Sequence, residues 1–279
     1  MPGVGGAGPD RPDVDAAWLA LREPADAAAR AADLVAPVRR ALAGRPRTVI
    51  HDLGTGTGSM GRWLAPRLAG PQHWIMYDRD PALLVQARAG MVTAAGTAPV
   101  TVTTRQVDVT RLSAADLAGA DLVTASALLD MLTGEEVERI VAACTGAGCP
   151  VLLTLSVIGQ VDLTPADPLD TDLAAAFNEH QRRTVGGRHL LGPQAVAATV
   201  AAFGRHGVAV VRRPSPWRLD AGTADLLAAW FTGWVAAACA QRPDLANPAA
   251  DYARRRRAQA AAGRLAVVVQ HTDLLAGLG

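Results

Sequence analysis

The chain has 279 residues, half of them hydrophobic, and 27 basic against 26 acidic side chains give a net charge of +1. Every basic residue besides histidine is arginine, which excludes a lysine nucleophile, a Schiff base and a phosphate-loop lysine. The charge balance argues against affinity built on neutralising many phosphates. Three scattered cysteines, Cys144, Cys149 and Cys239, form neither a disulfide framework nor a zinc site.

Residues 1–13 are rich in glycine and proline and are expected to be a disordered leader, not a signal peptide. No run of about 20 apolar residues is expected, so nothing is expected to span a membrane, and the expected location is the cytoplasm. Residues 14–46 predict a helical segment carrying Trp18, Leu19 and Leu21, then Leu34, Val35 and Val38 among alanines. Pro24 is expected to open a second helix and Pro37 to kink or interrupt it. From residue 47 onward strands are predicted over 48–53, 73–77, 100–107, 121–125 and 151–157. Between them lie helices over 59–68, with Ser59 as cap, 81–89 and 134–144, the last with Glu135 and Glu136 in its first turn. Short apolar strands alternating with helices predict a parallel sheet covered on both faces.

Further on, helices are predicted over 169–183, 193–205, 222–240 and 247–262, and late strands over 208–212 and 265–271. The stretch 214–264 between those two strands is far longer than a hairpin loop of about 2–5 residues. It predicts a helical cap inserted into a domain spanning 47–279, and substrate specificity tends to reside in such insertions.

The sequence His51-Asp52-Leu53-Gly54-Thr55-Gly56-Thr57-Gly58-Ser59-Met60-Gly61 joins the first predicted strand to its helix. Glycine is needed where φ is positive or a ligand must approach the main chain. A dinucleotide loop reads G-x-G-x-x-G; here the third glycine comes one residue early, at Gly58. Asp52 beside the loop would repel a diphosphate but attract a cation, and S-adenosylmethionine carries a sulfonium and an ammonium with no phosphate.

The spacing Asp52-x-Gly54-x-Gly56-x-Gly58 resembles motif I of the class I S-adenosylmethionine-dependent methyltransferases. That resemblance covers about residues 48–157. It implies a doubly wound, mostly parallel, seven-stranded Rossmann-like α/β sheet of order 3-2-1-4-5-7-6, with N-terminal helices and the cap between the last two strands. It also implies S-adenosylmethionine as cofactor. The main chain of Gly54, Thr55, Gly56 and Gly58 would then approach the methionine moiety, with Asp52 on its ammonium. Asp78 in Tyr77-Asp78-Arg79-Asp80-Pro81 would hold the ribose hydroxyls, with Arg79 beside it. An ionised carboxylate only accepts, and a diol offers two donors. The same chemistry serves a nicotinamide cofactor. Asp80, just before Pro81, suits a helix N-terminus. Asp108 would accept from the adenine amine, with Val107 or Val109 against the ring, or else simply form the turn after its strand. Ser126 and Ala127 would lie beside the sulfonium, and Asp130 would face the acceptor or cap a helix.

The Asn/Asp-Pro-Pro-Tyr signature of amino-group methylation on bases or glutamine is absent, as is a clear metal-binding acid set. Aromatic residues make up 4% of the chain, few for stacking single-stranded bases. The expectation is methyl transfer to a small molecule, with no nucleic acid partner and an undetermined monomer or homodimer state. RNA or protein methylation, a nicotinamide oxidoreductase and a non-catalytic cofactor-binding protein are the alternatives. In the polar run Phe177-Asn178-Glu179-His180-Gln181-Arg182-Arg183, His180 and Glu179 join Asp130 as candidate bases. Asn178, His180, Asp130 and Trp217 are candidate acceptor contacts. The competing reading of the run is a solvated helix end with arginines near the negative pole. Trp217 could equally be core, Trp230 and Trp234 read as core on one helix face, and Arg254 to Arg257 as a solvated surface.

Overall fold

The computed structural model describes residues 15–278; the expected leader over 1–13 lies outside them. The apolar runs and their turn residues give, in chain order, α1 (Ala16–Ala29), α2 (Val35–Ala41), β1 (Thr48–Leu53), α3 (Ser59–Leu64), β2 (Gln72–Asp78), α4 (Pro81–Gly90), β3 (Ala94–Ala95), β4 (Ala98–Gln106) and β5 (Leu122–Ser126). There follow α5 (Gly134–Ala147), β6 (Val151–Thr164), α6 (Asp170–Gln181), β7 (Thr184–Val185), β8 (Arg188–His189), α7 (Ala195–Arg205), β9 (Val210–Pro214), β10 (Trp217–Leu219), α8 (Ala224–Gln241), α9 (Ala246–Ala261) and β11 (Ala266–Ala276).

Strands β4, β2, β1, β5 and β6 lie side by side in that order, all parallel. β11 runs antiparallel to β6, and both β9 and β10 pair with the free side of β11. The expected order is therefore present, but the sheet has nine strands, not seven. β3 adds two residues at one edge, and the expected sixth strand is broken in two. The break has a physical cause. Pro214 and Pro216 cannot donate to a ladder, so the Ser215 N–H alone bonds the His271 carbonyl (2.9 Å). The chain then rejoins the sheet at Trp217, opposite Val269. The inserted cap accordingly begins after Leu219, not at residue 214.

Alternate residues along each strand point to opposite faces. Leu53, Tyr77, Val123 and Leu153 pack under α5 and α7 with Ile140 and Phe203. Ile50, Trp74, Met76 and Leu152 pack under α2, α3 and α4 with Val38, Leu64 and Leu84. A third core, built from Leu173, Trp217, Leu226, Trp230, Trp234 and Tyr252, fills the cap. The two prolines of the N-terminal segment act differently from expectation. Helix α1 runs through Pro24, which is exposed, and Pro37 lies in the first turn of α2, where no helical N–H partner is lost. Ser59 is not the cap of α3; Gly58 is, at φ +87°, and Ser59 is the first helical residue.

One helical stretch corrects the expectation that no apolar run is long enough to span a bilayer. Ala221–Gln241 has 21 residues with mean hydropathy 1.3 and is long and apolar enough by those measures. Here its Leu226, Leu227, Trp230, Phe231 and Trp234 are buried, and they form part of the cap core.

A buried charge pair pins the cap. Arg256, fully buried, donates from Nη2 to both oxygens of Asp170 (2.6 Å each) and from Nη1 to the Pro165 carbonyl (2.5 Å). The Tyr252 hydroxyl donates to the same carboxylate (2.6 Å). Arg256 thus departs from the solvated arginine surface expected of residues 254–257. Asp170→Ala strands this guanidinium and should destabilise the fold by about 3–5 kcal/mol in denaturant unfolding. Asp251→Ala, which removes the exposed pair with Arg254, should cost under about 1 kcal/mol.

Candidate cofactor and acceptor site

The loop leaving β1 is bare main chain. Gly54, Gly56 and Gly58 adopt φ of +64°, +55° and +87°, a region side chains disfavour. A Cβ at these positions would meet Leu128 at 3.1 Å, Leu19 of α1 at 3.0 Å and Ala87 at 3.2 Å. The Thr55 N–H bonds the Tyr77 carbonyl, fixing the loop to the end of β2 (2.9 Å). Asp52 lies beneath, 1% exposed. One oxygen accepts from the Thr55 hydroxyl (2.5 Å) and the other from the Thr124 hydroxyl of β5 (2.6 Å). Burial pushes this carboxyl up to about 6 against the two hydroxyls that favour its charge. Asp52 is therefore the loop's anchor to the neighbouring strand.

Asp78 joins the loop from the other side. It accepts the Gly56 N–H (2.9 Å) on one oxygen and the Asp80 N–H (3.0 Å) on the other. A carboxylate has about four acceptor positions, so each oxygen keeps one, matching the two donors of a vicinal diol. Arg79 is exposed in the turn, its carbonyl taking the Gln106 amide (3.2 Å). Asp80 caps α4 by accepting from Ala82 N–H (2.8 Å). Asp108 forms the turn after β4, accepting from both the N–H and the hydroxyl of Thr110 (3.1 and 2.8 Å), while Val109 is buried behind it. Asp108 also lines a cleft of about 520 Å³ with Arg111, Glu136, Arg139 and Arg188.

At the end of β5, the Ser126 hydroxyl accepts from Thr154 (3.1 Å) and from Arg30 (3.1 Å). Ala127 follows at φ +50°, its N–H held by the Thr154 carbonyl (2.9 Å). Asp130 sits in the next turn, where burial pushes its carboxyl up to about 6 with Arg22 as its neighbouring cation. It is not the cap of α5. That role belongs to Thr133, paired reciprocally with Glu136.

Trp18, Arg22, Asp26 and Arg30 recur every four residues, one face of a helix, and lie in α1 or, for Arg30, cap its end. Sequence reasoning missed all but the first, which it read only as part of an apolar pattern. The four-residue spacing of polar side chains among alanines was the signal. Arg22 bonds Asp26 through Nε and Nη2 (2.9 and 3.2 Å) and lies 5.0 Å over the Trp217 ring. The Trp217 indole N–H donates to the same Asp26 (2.9 Å), and the ring packs against Trp18 (6.4 Å) and His271 (5.2 Å). His271 is 3% exposed, and burial, then Arg22, pushes it down to about 4. Trp217 is thus a buried wall between α1 and the sheet edge.

The residues of α6 stand apart from the loop. Asn178 donates its amide to the Gly159 carbonyl (2.8 Å), a bond that ties α6 to β6. Glu179 is exposed and acts on Arg242 at the outer end of the cap. His180 is half-buried beside Arg183, and burial lowers its affinity for a proton.

Residues 50–148, from within β1 to the end of α5, match a family described as a methyltransferase domain. Over those residues the chain is similar to that family. No curated protein matches the sequence. Among solved structures, the chain is similar to a SAM-dependent methyltransferase of Geobacter sulfurreducens bound to S-adenosyl-L-homocysteine, at 18% identity, covering 96% of this chain and 99% of that one with a TM-score of 0.43. It is similar also to a cyclopropane synthase of Mycobacterium tuberculosis, at 14% identity, 88% and 83% coverage and a TM-score of 0.45. A protein of Bacillus halodurans C-125 assigned to the methyltransferases gives 14% identity, 87% and 96% coverage and a TM-score of 0.46.

The residues present fit S-adenosylmethionine, the cofactor that the resemblance to motif I implies. The loop presents no side chain where Gly54, Gly56 and Gly58 stand, and the Asp78 carboxylate keeps a lone pair on each oxygen.

The raised Asp52 carboxyl predicts a pH signature. Between about 3.8 and about 6 the folded chain holds a proton that the unfolded chain releases, so this residue's contribution to stability falls as pH rises through that window. Wild type measured against Asp52→Asn by urea unfolding should lose relative stability from pH 4 to pH 7. A difference that grows with pH would contradict the placement.

Proposed function

We propose that this chain transfers the methyl group of S-adenosylmethionine to a small-molecule acceptor. The observation that carries the reading is the Gly56 N–H held by Asp78. It places a bare main-chain loop and a diol-accepting carboxylate against each other at the ends of adjacent strands. When bound, the cofactor supplies an electrophilic methyl on a sulfonium, open to in-line displacement.

The protein's part is positioning and exclusion of water. Ser126 and Ala127 end β5 next to the loop. Asp130 follows in the next turn, and the wall of Trp18, Arg22, Trp217 and His271 closes the side toward the sheet edge. That buried aromatic wall, with a net charge of only +1, favours a compact acceptor over a polynucleotide. Arg22 and Asp26 offset one another, so the wall favours an acceptor group that is neutral before reaction. Asp130 is the residue assigned to take a proton when the nucleophile carries one, because burial places its carboxyl in the range where a base is ionised near neutral pH.

Two measurements test this reading. Asp78→Ala should weaken S-adenosylmethionine binding by on the order of 10-fold or more in calorimetry, whereas NADH binding by the wild type in its place would overturn the cofactor. With an acceptor found by screening small molecules for S-adenosylhomocysteine release, turnover should rise through about pH 6 and the rise should vanish in Asp130→Asn. Turnover on RNA alone, steeply dependent on salt, would overturn the acceptor class.

A further inference from the structure

Arg30 is a buried cation without a paired anion. It is 3% exposed, and only its Nη2 is engaged, by the hydroxyls of Ser59 and Ser126 (3.1 Å each). Nε and Nη1 have no hydrogen-bond partner. A guanidinium has five N–H donors, so three here point at no acceptor. The surrounding carboxylates are committed elsewhere. Asp26 takes Arg22 and Trp217, Asp52 takes two threonine hydroxyls, and Asp273 takes two backbone N–H groups and Ser215. Leaving a buried charge with unfilled donors is expensive, which makes an incoming anion the natural completion. The two serines define where it comes from. Ser59 is the first helical residue beyond the glycine loop and Ser126 the last of β5, the strand beside β1, so Arg30 bridges the helix after the loop and the end of the neighbouring strand.

We propose that Arg30 is the anchor for the carboxylate of the cofactor's amino-acid end. This rests on the cofactor reading above. A carboxylate brings the charge and acceptors that Arg30 lacks, and its attraction to Arg30 is of the charge-assisted kind. The anchor stands outside the matched domain of residues 50–148, at the end of α1. The carboxylate would therefore link the N-terminal helix to the loop and to β5 at one point. Ser59 and Ser126 are positioning residues here, holding the guanidinium by the nitrogen the carboxylate does not need.

The test compares two probes by calorimetry: S-adenosylhomocysteine and its decarboxylated analogue, S-adenosyl-3-thiopropylamine, which keeps the adenosine, the sulfur and the ammonium. The wild type should bind the first on the order of 10–100-fold more tightly. In Arg30→Gln that preference should collapse to about threefold or less, with affinity for the decarboxylated analogue nearly unchanged, and Arg30→Lys should recover part of it. Equal binding of both probes by the wild type overturns the anchor and leaves the cofactor reading standing. Equal weakening of both probes in Arg30→Gln makes Arg30 a structural residue only and likewise overturns the proposal. Failure of the wild type to bind either probe overturns the cofactor reading itself. The wild-type comparison stands even if Arg30→Gln does not fold.

Discussion

One buried carboxylate joins the parts of this molecule that are far apart in sequence. Asp273 is 1% exposed and accepts the Ala31 N–H (2.8 Å), the Leu155 N–H (2.7 Å) and the Ser215 hydroxyl (2.6 Å). The first donor follows α1, the second belongs to the left-handed residue of β6 at φ +58°, and the third sits in the proline break between β9 and β10. Leu155 and Ser215 are buried and Ala31 is half-buried, and a buried donor left without a partner costs about 1–3 kcal/mol. The turn after α1, the irregularity in the central strand and the broken edge strand thus share one acceptor. Burial raises its proton affinity, but three donors favour the charged form.

The site inherits its geometry from that junction. With Ala31 fixed to β11, α1 lies along the sheet edge and turns its four-residue stripe inward. Arg30 reaches Ser59 of α3 and Ser126 of β5, and Arg22 with Asp26 meets Trp217 and His271. The glycine loop is held from below by Asp52 and from the side by Asp78, so neither of its neighbours needs to move for the loop to keep its shape. Both acids contribute as hydrogen-bond acceptors toward the protein itself before any ligand is considered, which is why their sequence positions carry information about fold and chemistry at once.

Local pattern made the central sheet readable. β1, β2, β5 and β6 are buried on both faces and show as short apolar runs, and Asp80 and Thr133 cap their helices with side chains adjacent in sequence. The loop's glycines were legible because three alternate positive-φ positions admit little else. Trp217–Leu219 was not legible as a strand: it has three residues, follows two prolines, and gains its place only from pairing with Val267 to Val269. Arg30 escaped for a similar reason. Its partners are 29 and 96 residues away, and only its place in the four-residue stripe of α1 sets it apart from a solvated arginine. The same blindness let the four arginines 254–257 read as surface although Arg256 is the cap's buried pin.

Strand β6 has 14 residues and β11 has 11, and both continue from the parallel sheet into the cap, with register shifts at Val269/His271 and Thr272/Leu274. A cap rooted this way shares the stiffness of the sheet, since bending it away would break ladder bonds in the middle of two paired strands. Widening of the cleft on that side therefore has to come from parts attached through side chains, and α1, held by Arg62–Glu23 and the Trp63 indole on the Ala27 carbonyl, is such a part.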